Sequence, residues 1–492
     1  MLPKFTKPDP LTLFRVGSLT FYGLLLLFLP NINNLSPRNN RSCPDNQISP
    51  NTESSVQRNN ISFGETSFIK PEKNPSSERQ EGIDFIKEEK YEKAKNKLET
   101  AINNNQNDPE ASIFLNNINI RLNNANNNYT IAVTVPENKQ IALEILRGVA
   151  QAQDEINKSP DGMNGKKLKV AIADDSDKNK TKEIASALVN NKEVLGVVGH
   201  FTSDATKEAG NVYCNKKLVA ISPTSTSVKL ENQINPYIFT TVPSDAVQAR
   251  ALAEYMVRTL KKKKAVVFYN SDSGYSVSLK SELETAISLE GGEVLNKQEN
   301  QQEFDVKSMS GTAGTSLKKA TELGAEVLIS ALDSDSFGKA ADLAQQQPEF
   351  TLLGGDALYR PHTLEWKQAP NEIVVAAPWH KELSDKTLTF SDNAQKLWGT
   401  EDVNWRTALA YDATQAFIEA LKRINKSNPT RVEIQEKLSE RGFSTDGASG
   451  PIRFLPSGER NAPFQLVKVC PNPKKFVPIQ KLKQPDKCDA LK

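Results

Sequence analysis

The length and charge of the chain limit what it can be. It has 492 residues, more than one hydrophobic core usually organises, so we expect two or three folded units joined by linkers. Lys and Arg total 62 against 60 Asp and Glu, and this balance creates no field that would favour nucleic acid as the main partner. The three histidines, His200, His362 and His380, are scattered, so no metal cluster and no cofactor is predicted.

Residues 1–30 are predicted to be a targeting segment. Lys4, Lys7 and Arg15 precede the apolar run from Val16 to Leu29, which is intermediate in length between a signal-peptide core and a membrane span. Because no small-x-small cleavage site follows, we favour a retained membrane anchor, with a cleaved signal as the alternative. Positive charge ahead of the run keeps the N-terminus in the cytoplasm, so the rest is expected on the periplasmic or extracellular side.

The next two segments differ in composition. Residues 31–79 are rich in Asn, Ser, Pro and Glu, which predicts a flexible linker. Residues 80–128 carry apolar residues at helical spacing, and we expect a helical hairpin there, either a spacer or a module that docks a partner protein. Some of its residues fall close to a tetratricopeptide-type pattern: Gly82, Tyr91, Ala94, Leu98, Ala101 and Pro109.

From residue 129 onward, short apolar strands alternate with amphipathic helices. Such alternation is typical of the α/β class, with parallel sheets covered by helices on both faces. Residues 129–470 are too many for one core, so we expect two doubly wound sheets joined by a hinge. Lobe 1 is predicted at about 129–242 and 378–452, lobe 2 at about 243–377 and 453–470, and a C-terminal tail at 471–492.

Hydroxyl and acidic residues follow several predicted strands. In open parallel sheets, ligands bind beyond the carboxyl ends of the strands, near helix N-termini. Ser203 follows one strand, and Thr224 and Thr226 follow the next. Hydroxyls beside free backbone N–H groups suit a carboxylate. Asp356, after Gly354-Gly355, offers the negative charge that an ammonium group needs. Helix capping and turn formation are the simpler interpretations of these four residues.

The four cysteines leave more than one arrangement open. Cys43, Cys214, Cys470 and Cys488 show no C-x-x-C spacing and have no neighbouring His, so a zinc site is not indicated. In an oxidising compartment, Cys470 and Cys488 would close a loop across the Pro-rich tail. A disulfide between these two, or separate free thiols, are the alternatives.

An ordered series of short motifs extends from about Ile131 to Val469. Its members are Gly162-Met163-Asn164-Gly165, Asp174-Asp175, Gly199-His200, Ile221-Ser222-Pro223, Thr241-Val242-Pro243-Ser244-Asp245, Leu353-Gly354-Gly355-Asp356, Ala410-Tyr411-Asp412-Ala413 and Gly450-Pro451-Ile452. Each is weak alone, but in this order the series resembles the leucine/isoleucine/valine-binding family of type I periplasmic binding proteins. The resemblance implies a two-lobed clamshell that binds an amino acid or a related small molecule and delivers it to the permease of an ATP-binding-cassette transporter.

The resemblance also implies roles for individual residues. The positions at which the family binds the ligand carboxylate fall on Ser203, Thr224 and Thr226. The acidic partner of the amino group falls on Asp356. Tyr275 falls near the family's aromatic wall, although one residue is inserted before it.

Two departures from the family pattern leave the ligand open. Leu332 stands where a second tyrosine is common, and Ile141 lies near the position of an aromatic lid residue. A branched-chain amino acid, another amino acid, and an amide, urea or peptide fragment are therefore all candidates.

A non-enzymatic solute-binding protein is the function that the sequence favours. The nucleophile motif Gly-x-Ser-x-Gly and the dinucleotide motif Gly-x-Gly-x-x-Gly are both missing, so catalysis is not indicated. The alternative is a membrane-anchored ligand sensor or scaffold that uses the same clamshell, with residues 80–128 docking a partner.

Overall fold

Two sheets organise the chain, and their strands are the short apolar runs of the sequence. The computed structural model describes Cys43 and residues 60–69, 77–124, 127–232, 235–309, 312–346, 349–366, 372–383, 385–400, 403–484 and 487–491. The described part begins with a short strand and three helices: β1 (Ile61–Ser62), α1 (Ser77–Lys87), α2 (Tyr91–Asn104) and α3 (Pro109–Asn124).

The first lobe follows in strict strand and helix alternation. Its elements are β2 (Asn128–Val135), α4 (Lys139–Lys158), β3 (Lys167–Asp174), α5 (Thr181–Asn190), β4 (Val194–Val198), α6 (Ser203–Asn215), β5 (Val219–Ser222), α7 (Val228–Asn232) and β6 (Ile238–Thr240). The sheet order is β1-β3-β2-β4-β5-β6, and only β1 runs antiparallel to its neighbour. Strand β2 is central, and seven of its eight residues are buried, as expected for a strand covered by helices on both faces.

The second lobe repeats the pattern. Its elements are α8 (Asp245–Glu254, continued by a π-helical turn over Tyr255–Thr259), β7 (Lys264–Phe268), α9 (Gly274–Leu289), β8 (Glu293–Val294), α10 (Ala313–Glu322), β9 (Val327–Ser330), α11 (Phe337–Gln346), β10 (Thr351–Gly354), α12 (Pro361–Leu364) and β11 (Glu372–Ala377). The chain then returns to the first lobe.

The returning segment completes both lobes. Its elements are α13 (Asp385–Trp398), α14 (Trp405–Ile424), α15 (Arg431–Leu438), β12 (Thr445–Gly447), β13 (Gly450–Ile452), β14 (Gln465–Pro471), β15 (Lys474–Pro478), β16 (Leu482–Gln484) and β17 (Lys487–Leu491). The second sheet has the order β15-β14-β11-β10-β9-β7-β8. The fold is thus α/β with two lobes, as the sequence predicts.

The second sheet is mixed rather than wholly parallel. Strand β14 pairs antiparallel with β11, and β15 pairs antiparallel with β14. Only two residues separate β14 from β15. A connection as short as this can join only antiparallel strands, because parallel strands need a long crossover. The predicted boundary at residue 470 is therefore wrong, because β15 extends lobe 2 to Pro478 and the predicted tail contains strands.

Helices α4 and α14 cross at very short range. A Cβ added to Gly148 would lie 2.2 Å from the carbonyl oxygen of Thr407 and 2.6 Å from the backbone nitrogen of Tyr411. The Thr407 hydroxyl donates to the carbonyl of Glu144 at 2.9 Å. Glycine is required here for close backbone approach, and the crossing fixes where the start of α14 lies.

The N-terminal helices belong to lobe 1. Their buried side chains, among them Leu98, Ile113 and Phe114, lie in the same apolar cluster as those of the sheet. Residues 60–69 are also ordered, with β1 paired to β3. The prediction of a flexible linker over 31–79 is therefore wrong for its described part, because β3 offers a free edge on which a short strand can pair.

Asn117 joins α3 to the edge of β3. Its amide nitrogen donates to the carbonyls of Val170 and Phe63 at 2.7 and 3.0 Å. Its amide oxygen accepts from the Val170 N–H and from the Gln153 side chain, both at 3.0 Å. The Asn117 side chain thus gives Val170 of β3 the hydrogen bonds that a neighbouring strand would supply, at a position that β1 does not reach.

Two disulfides are present. One joins Cys470 to Cys488, 18 residues apart, and the other joins Cys43 to Cys214, 171 residues apart. The sequence had raised the first pair as one of two alternatives and had not identified the second.

No helix within the described ranges combines the length and the hydrophobicity that a bilayer crossing needs. The predicted anchor or signal at residues 1–30 lies outside the described residues.

Replacing Asn117 by Ala should lower the free energy of unfolding by about 3 kcal/mol, because it leaves the backbone groups of Val170 buried and unpaired. Urea unfolding followed by circular dichroism measures the change. Asn123→Ala is the matched control, since Asn123 is an exposed residue of the same helix that bonds only the Asn119 carbonyl. Equal effects of the two substitutions would contradict the role of Asn117.

The two disulfides should differ in their effect on stability. Loop-closure entropy predicts a loss of about 5 kcal/mol when Cys43 and Cys214 are both replaced by Ala, and of about 3 kcal/mol for Cys470 and Cys488, because the first closes the longer loop. Denaturant unfolding of the two double variants tests the order. A larger loss from the Cys470 and Cys488 pair would disprove it.

Candidate functional site

A cavity of about 310 Å³ lies between the two lobes. Its size is in the range of pockets that enclose small molecules. Lobe 1 contributes the turn after β4, the start of α6 and the start of α14, and lobe 2 contributes the turns after β7, β9 and β10. The cavity therefore lies where carboxyl ends of strands meet helix N-termini, as the rule for open sheets predicts.

Ser203 lies in the cavity wall at the first residue of α6. The helix is capped by Thr202, whose hydroxyl oxygen accepts from the Ala205 N–H at 3.1 Å. The interpretation of Ser203 as the cap is therefore wrong. Its hydroxyl oxygen accepts from the Ser227 N–H at 3.3 Å, which leaves its own proton available for a ligand.

Thr224 and Thr226 occupy different environments. Thr224 lines the cavity, and its hydroxyl donates to the Phe201 carbonyl at 2.7 Å. Thr226 is buried beneath the cavity and is not among its lining residues. The structure thus brings Thr224 to the cavity together with Ser203, but not Thr226.

Tyr275 and Asp356 form one unit on the lobe 2 side. The Tyr275 hydroxyl donates to Asp356 Oδ1 at 2.8 Å, and both residues line the cavity. A Cβ added to Gly355 would lie 2.3 Å from the Tyr275 hydroxyl oxygen. Gly355 is therefore needed for the tyrosine to reach the carboxylate, which explains the Gly-Gly pair before Asp356.

Burial controls the ionisation of two neighbouring carboxyl groups. It raises the pKa of Asp356, while the hydrogen bond from Tyr275 and the positive charge of Arg406 oppose the shift. Burial also raises the pKa of Asp245 to about 8, against the effect of the Ser278 and Thr226 hydroxyls. Asp245 therefore keeps its proton at neutral pH. The Asp356 carboxylate is then not repelled by a second negative charge beside it.

His200 supports the wall of the site from behind. It is fully buried, with Nδ1 2.6 Å from Asp175 Oδ2 and Nε2 2.8 Å from the Tyr213 hydroxyl. Its carbonyl accepts from the Ser222 hydroxyl at 2.7 Å. These bonds hold the turn before α6 in place, so His200 has a structural role behind the wall of the site.

Several lining residues had not been identified from the sequence. Asp204 accepts from the Gly274 N–H at 2.8 Å, and Lys178 forms an ion pair with Asp335. Both contacts join the two lobes across the cleft. A hydrophilic turn after a strand is the only sequence signal that these residues carry.

The start of α14 was missed for a different reason. Trp405 and Arg406 line the cavity as the first two residues of α14, and no strand end precedes them directly in the sequence to indicate a site. Leu332 and Ile141, which depart from the family pattern, are both buried and do not line the cavity.

Comparison with known proteins places the chain among binding proteins. Residues 139–472 match a family described as periplasmic binding protein. An amino acid binding protein of Pseudomonas aeruginosa is 32% identical over 137 residues, which are 28% of this chain and 36% of that protein. The Leu/Ile/Val-binding protein homolog 1 of Brucella suis is 24% identical over 349 residues, which are 68% of this chain and 86% of that protein.

The chain spans only about a third of the Pseudomonas relative and of the leucine-specific-binding protein of Salmonella typhimurium, of which it covers 34%. A leucine binding protein from Thermotoga maritima has a TM-score of 0.63 at 20% identity, covering 71% of this chain and 97% of that one. This likeness shows a shared fold.

The family match extends over more than half of the sequence and includes every residue of the candidate site. It agrees with the resemblance inferred from the ordered motifs. The chain therefore belongs to the periplasmic binding protein family.

Proposed function

We propose that this chain is an extracytoplasmic solute-binding protein of an ATP-binding-cassette transporter, and that it binds an amino acid or a related small molecule by closing its two lobes. One observation carries the proposal. The cavity between the lobes has hydroxyl and helix N-terminal donors on one wall and the buried carboxyl group of Asp356 on the other.

The lobe 1 wall suits the carboxylate of a zwitterion. The Ser203 hydroxyl has a free proton, and the first turn of α6 presents backbone N–H groups and the positive end of the helix dipole. Thr224 closes the same wall, although its own proton is directed to Phe201.

The lobe 2 wall suits the ammonium group. Asp356 is 3% exposed, and Tyr275 occupies its Oδ1. A buried carboxylate is costly unless a positive charge compensates it, so an ammonium group in the cavity stabilises the ionised form. Tyr275 orients the carboxyl group towards such a ligand.

Closure follows from contacts that only the apposed lobes can make. Gly274 donates to Asp204, and the Val228 N–H of lobe 1 donates to Ser278 of lobe 2 at 3.2 Å. A ligand that bridges both walls shifts the population towards this closed form. The closed form is the state that we propose to dock on the permease.

Location and transport are supported by the comparisons. A branched-chain amino acid transporter substrate-binding protein of Streptococcus pneumoniae, solved with isoleucine, shares the fold with a TM-score of 0.58 at 20% identity, covering 71% of this chain and 99% of that one. Two disulfides fit an oxidising compartment outside the cytoplasm. Attachment to the membrane through residues 1–30 belongs to the same proposal.

Replacing Asp356 by Asn should weaken the binding of amino acids by about two orders of magnitude, because the ammonium group would be buried without its counter-charge. Calorimetry with a panel of amino acids measures the affinities. Asp84→Asn, which removes an exposed carboxylate of α1, should leave them unchanged. Equal affinities for the Asp356 variant and the unmodified chain would rule out the assignment.

Ligand affinity should fall on acidification. The bound ammonium needs the Asp356 carboxylate, and burial raises the pKa of this group above its usual value, so affinity is retained above the raised pKa and is lost as the pH falls through it. Titrations from about pH 4 to about pH 7 test this, a range in which Asp245 keeps its proton. The Asp356→Asn variant should show a flatter profile, and a pH-independent affinity of the unmodified chain would count against the role.

A further inference from the structure

The first turn of α14 gives the cavity two large polar side chains. Trp405 and Arg406 both line it, and each is only 2% exposed. The helix begins directly after Asn404, whose side-chain oxygen accepts from the Arg406 N–H at 2.9 Å. The N-terminus of a 20-residue helix is thus directed at the site, a second one besides that of α6.

Both side chains carry donors that no described residue accepts. Trp405 Nε1 and Arg406 Nε are buried without a hydrogen-bond partner. Arg406 Nη1 donates to Glu144 Oε2 at 3.2 Å, which holds the guanidinium in position without using all of its donors. Buried donors without partners are uncommon, because each costs about 1 to 3 kcal/mol.

The walls around these donors are polar. Asp333 and Ser334 lie in the turn after β9, and Asn270 lies in the turn after β7. Asp333 accepts from the Asn270 side chain at 3.3 Å and from the Ser336 N–H at 2.9 Å. The lining of the cavity therefore combines unpaired donors on lobe 1 with acceptors on lobe 2.

An aliphatic ligand side chain fits this environment poorly. It would cover the guanidinium of Arg406 and the indole nitrogen of Trp405 without offering an acceptor, and it would share the cavity with the carboxylate of Asp333. A group with a carbonyl oxygen would instead accept from lobe 1. If that group also carried an NH₂, as a carboxamide does, it would donate to lobe 2.

We propose that Trp405 and Arg406 recognise a carbonyl oxygen at the end of the ligand's side chain, so that the ligand is an amino acid with a carboxamide or carboxylate side chain rather than a branched-chain one. This inference rests on the proposed function, since Ser203 and Asp356 must hold the two α groups. Of the two side-chain types, the carboxamide fits better, because it can accept from Trp405 and Arg406 and also donate to an acceptor of lobe 2 such as Asp333, whereas a carboxylate can only accept.

Calorimetry on the full chain tests the inference with L-asparagine, L-glutamine, L-glutamate and L-leucine. Asparagine and leucine have similar shapes, so their affinity ratio reports hydrogen bonding at the end of the side chain. At least one carboxamide amino acid should bind about tenfold or more tightly than leucine, which corresponds to 1.4 kcal/mol. Glutamate should bind less tightly than glutamine.

Variants of the two residues should remove this preference. Arg406→Gln should bring the ratio of carboxamide to leucine affinity close to one, and Arg406→Lys should restore it only in part, because lysine lacks the planar set of donors. Trp405→Phe retains an aromatic ring but removes the N–H together with the pyrrole part of the indole, so it should lower the same ratio even if the Arg406 variants fail to fold.

Arg360 supplies the matched control. It is also a buried arginine, 9% exposed, with an unpaired Nη2, but it does not line the cavity. Arg360→Gln should leave the ratio unchanged. If the role of Arg406 were purely structural, Arg406→Gln and Arg360→Gln would both change stability, and neither would change the ratio of carboxamide to leucine affinity.

The outcomes separate the inference from the proposed function. Tight leucine binding that is lost in Asp356→Asn but unchanged in Arg406→Gln and Trp405→Phe would keep the function and overturn the inference. Binding of none of the four amino acids to the unmodified chain would overturn the inference, and the wider amino-acid panel used for Asp356→Asn would then decide the proposed function separately. Carboxamide preference that disappears in the Arg406 and Trp405 variants alone would support both.

Discussion

The buried carboxyl group of Asp356 is the constraint on which the site depends. Asp356 is 3% exposed, and Tyr275 donates a hydrogen bond to only one of its two carboxyl oxygens. A nearby positive charge is needed to stabilise its ionised form. The charge of Arg406 on lobe 1 acts on Asp356 on lobe 2, and Arg406 is itself paired with Glu144 of its own lobe. The charges around the cavity are therefore complementary across the cleft, and a ligand with both signs of charge completes them.

Much of the fold could be predicted from the sequence, because buried parallel strands are short apolar runs and their ends are where ligands bind. That reasoning led to Ser203, Thr224 and Asp356, all of which line the cavity, and resemblance to a family led to Tyr275. Thr226, two residues after Thr224, is buried beside Asp245 and does not line the cavity. The sequence pattern predicts where a strand ends and a turn begins. It does not predict the direction in which each side chain of that turn points.

The rest depends on contacts between distant parts of the chain. Trp405 and Arg406 reach the site because α14 begins at Trp405, directly after the Asn404 cap, and because this end of the helix packs against lobe 1 beside the cleft. The pairing of Cys43 with Cys214 across 171 residues has no local signal. The antiparallel strands β14 and β15 alternate polar and apolar residues weakly, and their neighbour β11 is nearly 90 positions earlier.

The disulfide at Cys43 also determines which lobe the N-terminal part of the chain is linked to. Cys214 lies on α6, and β1 and the three N-terminal helices pack on the same lobe. Cys43 is thus tied covalently to lobe 1. The second disulfide lies within the C-terminal strands, so neither disulfide joins the two lobes and neither restricts their relative motion.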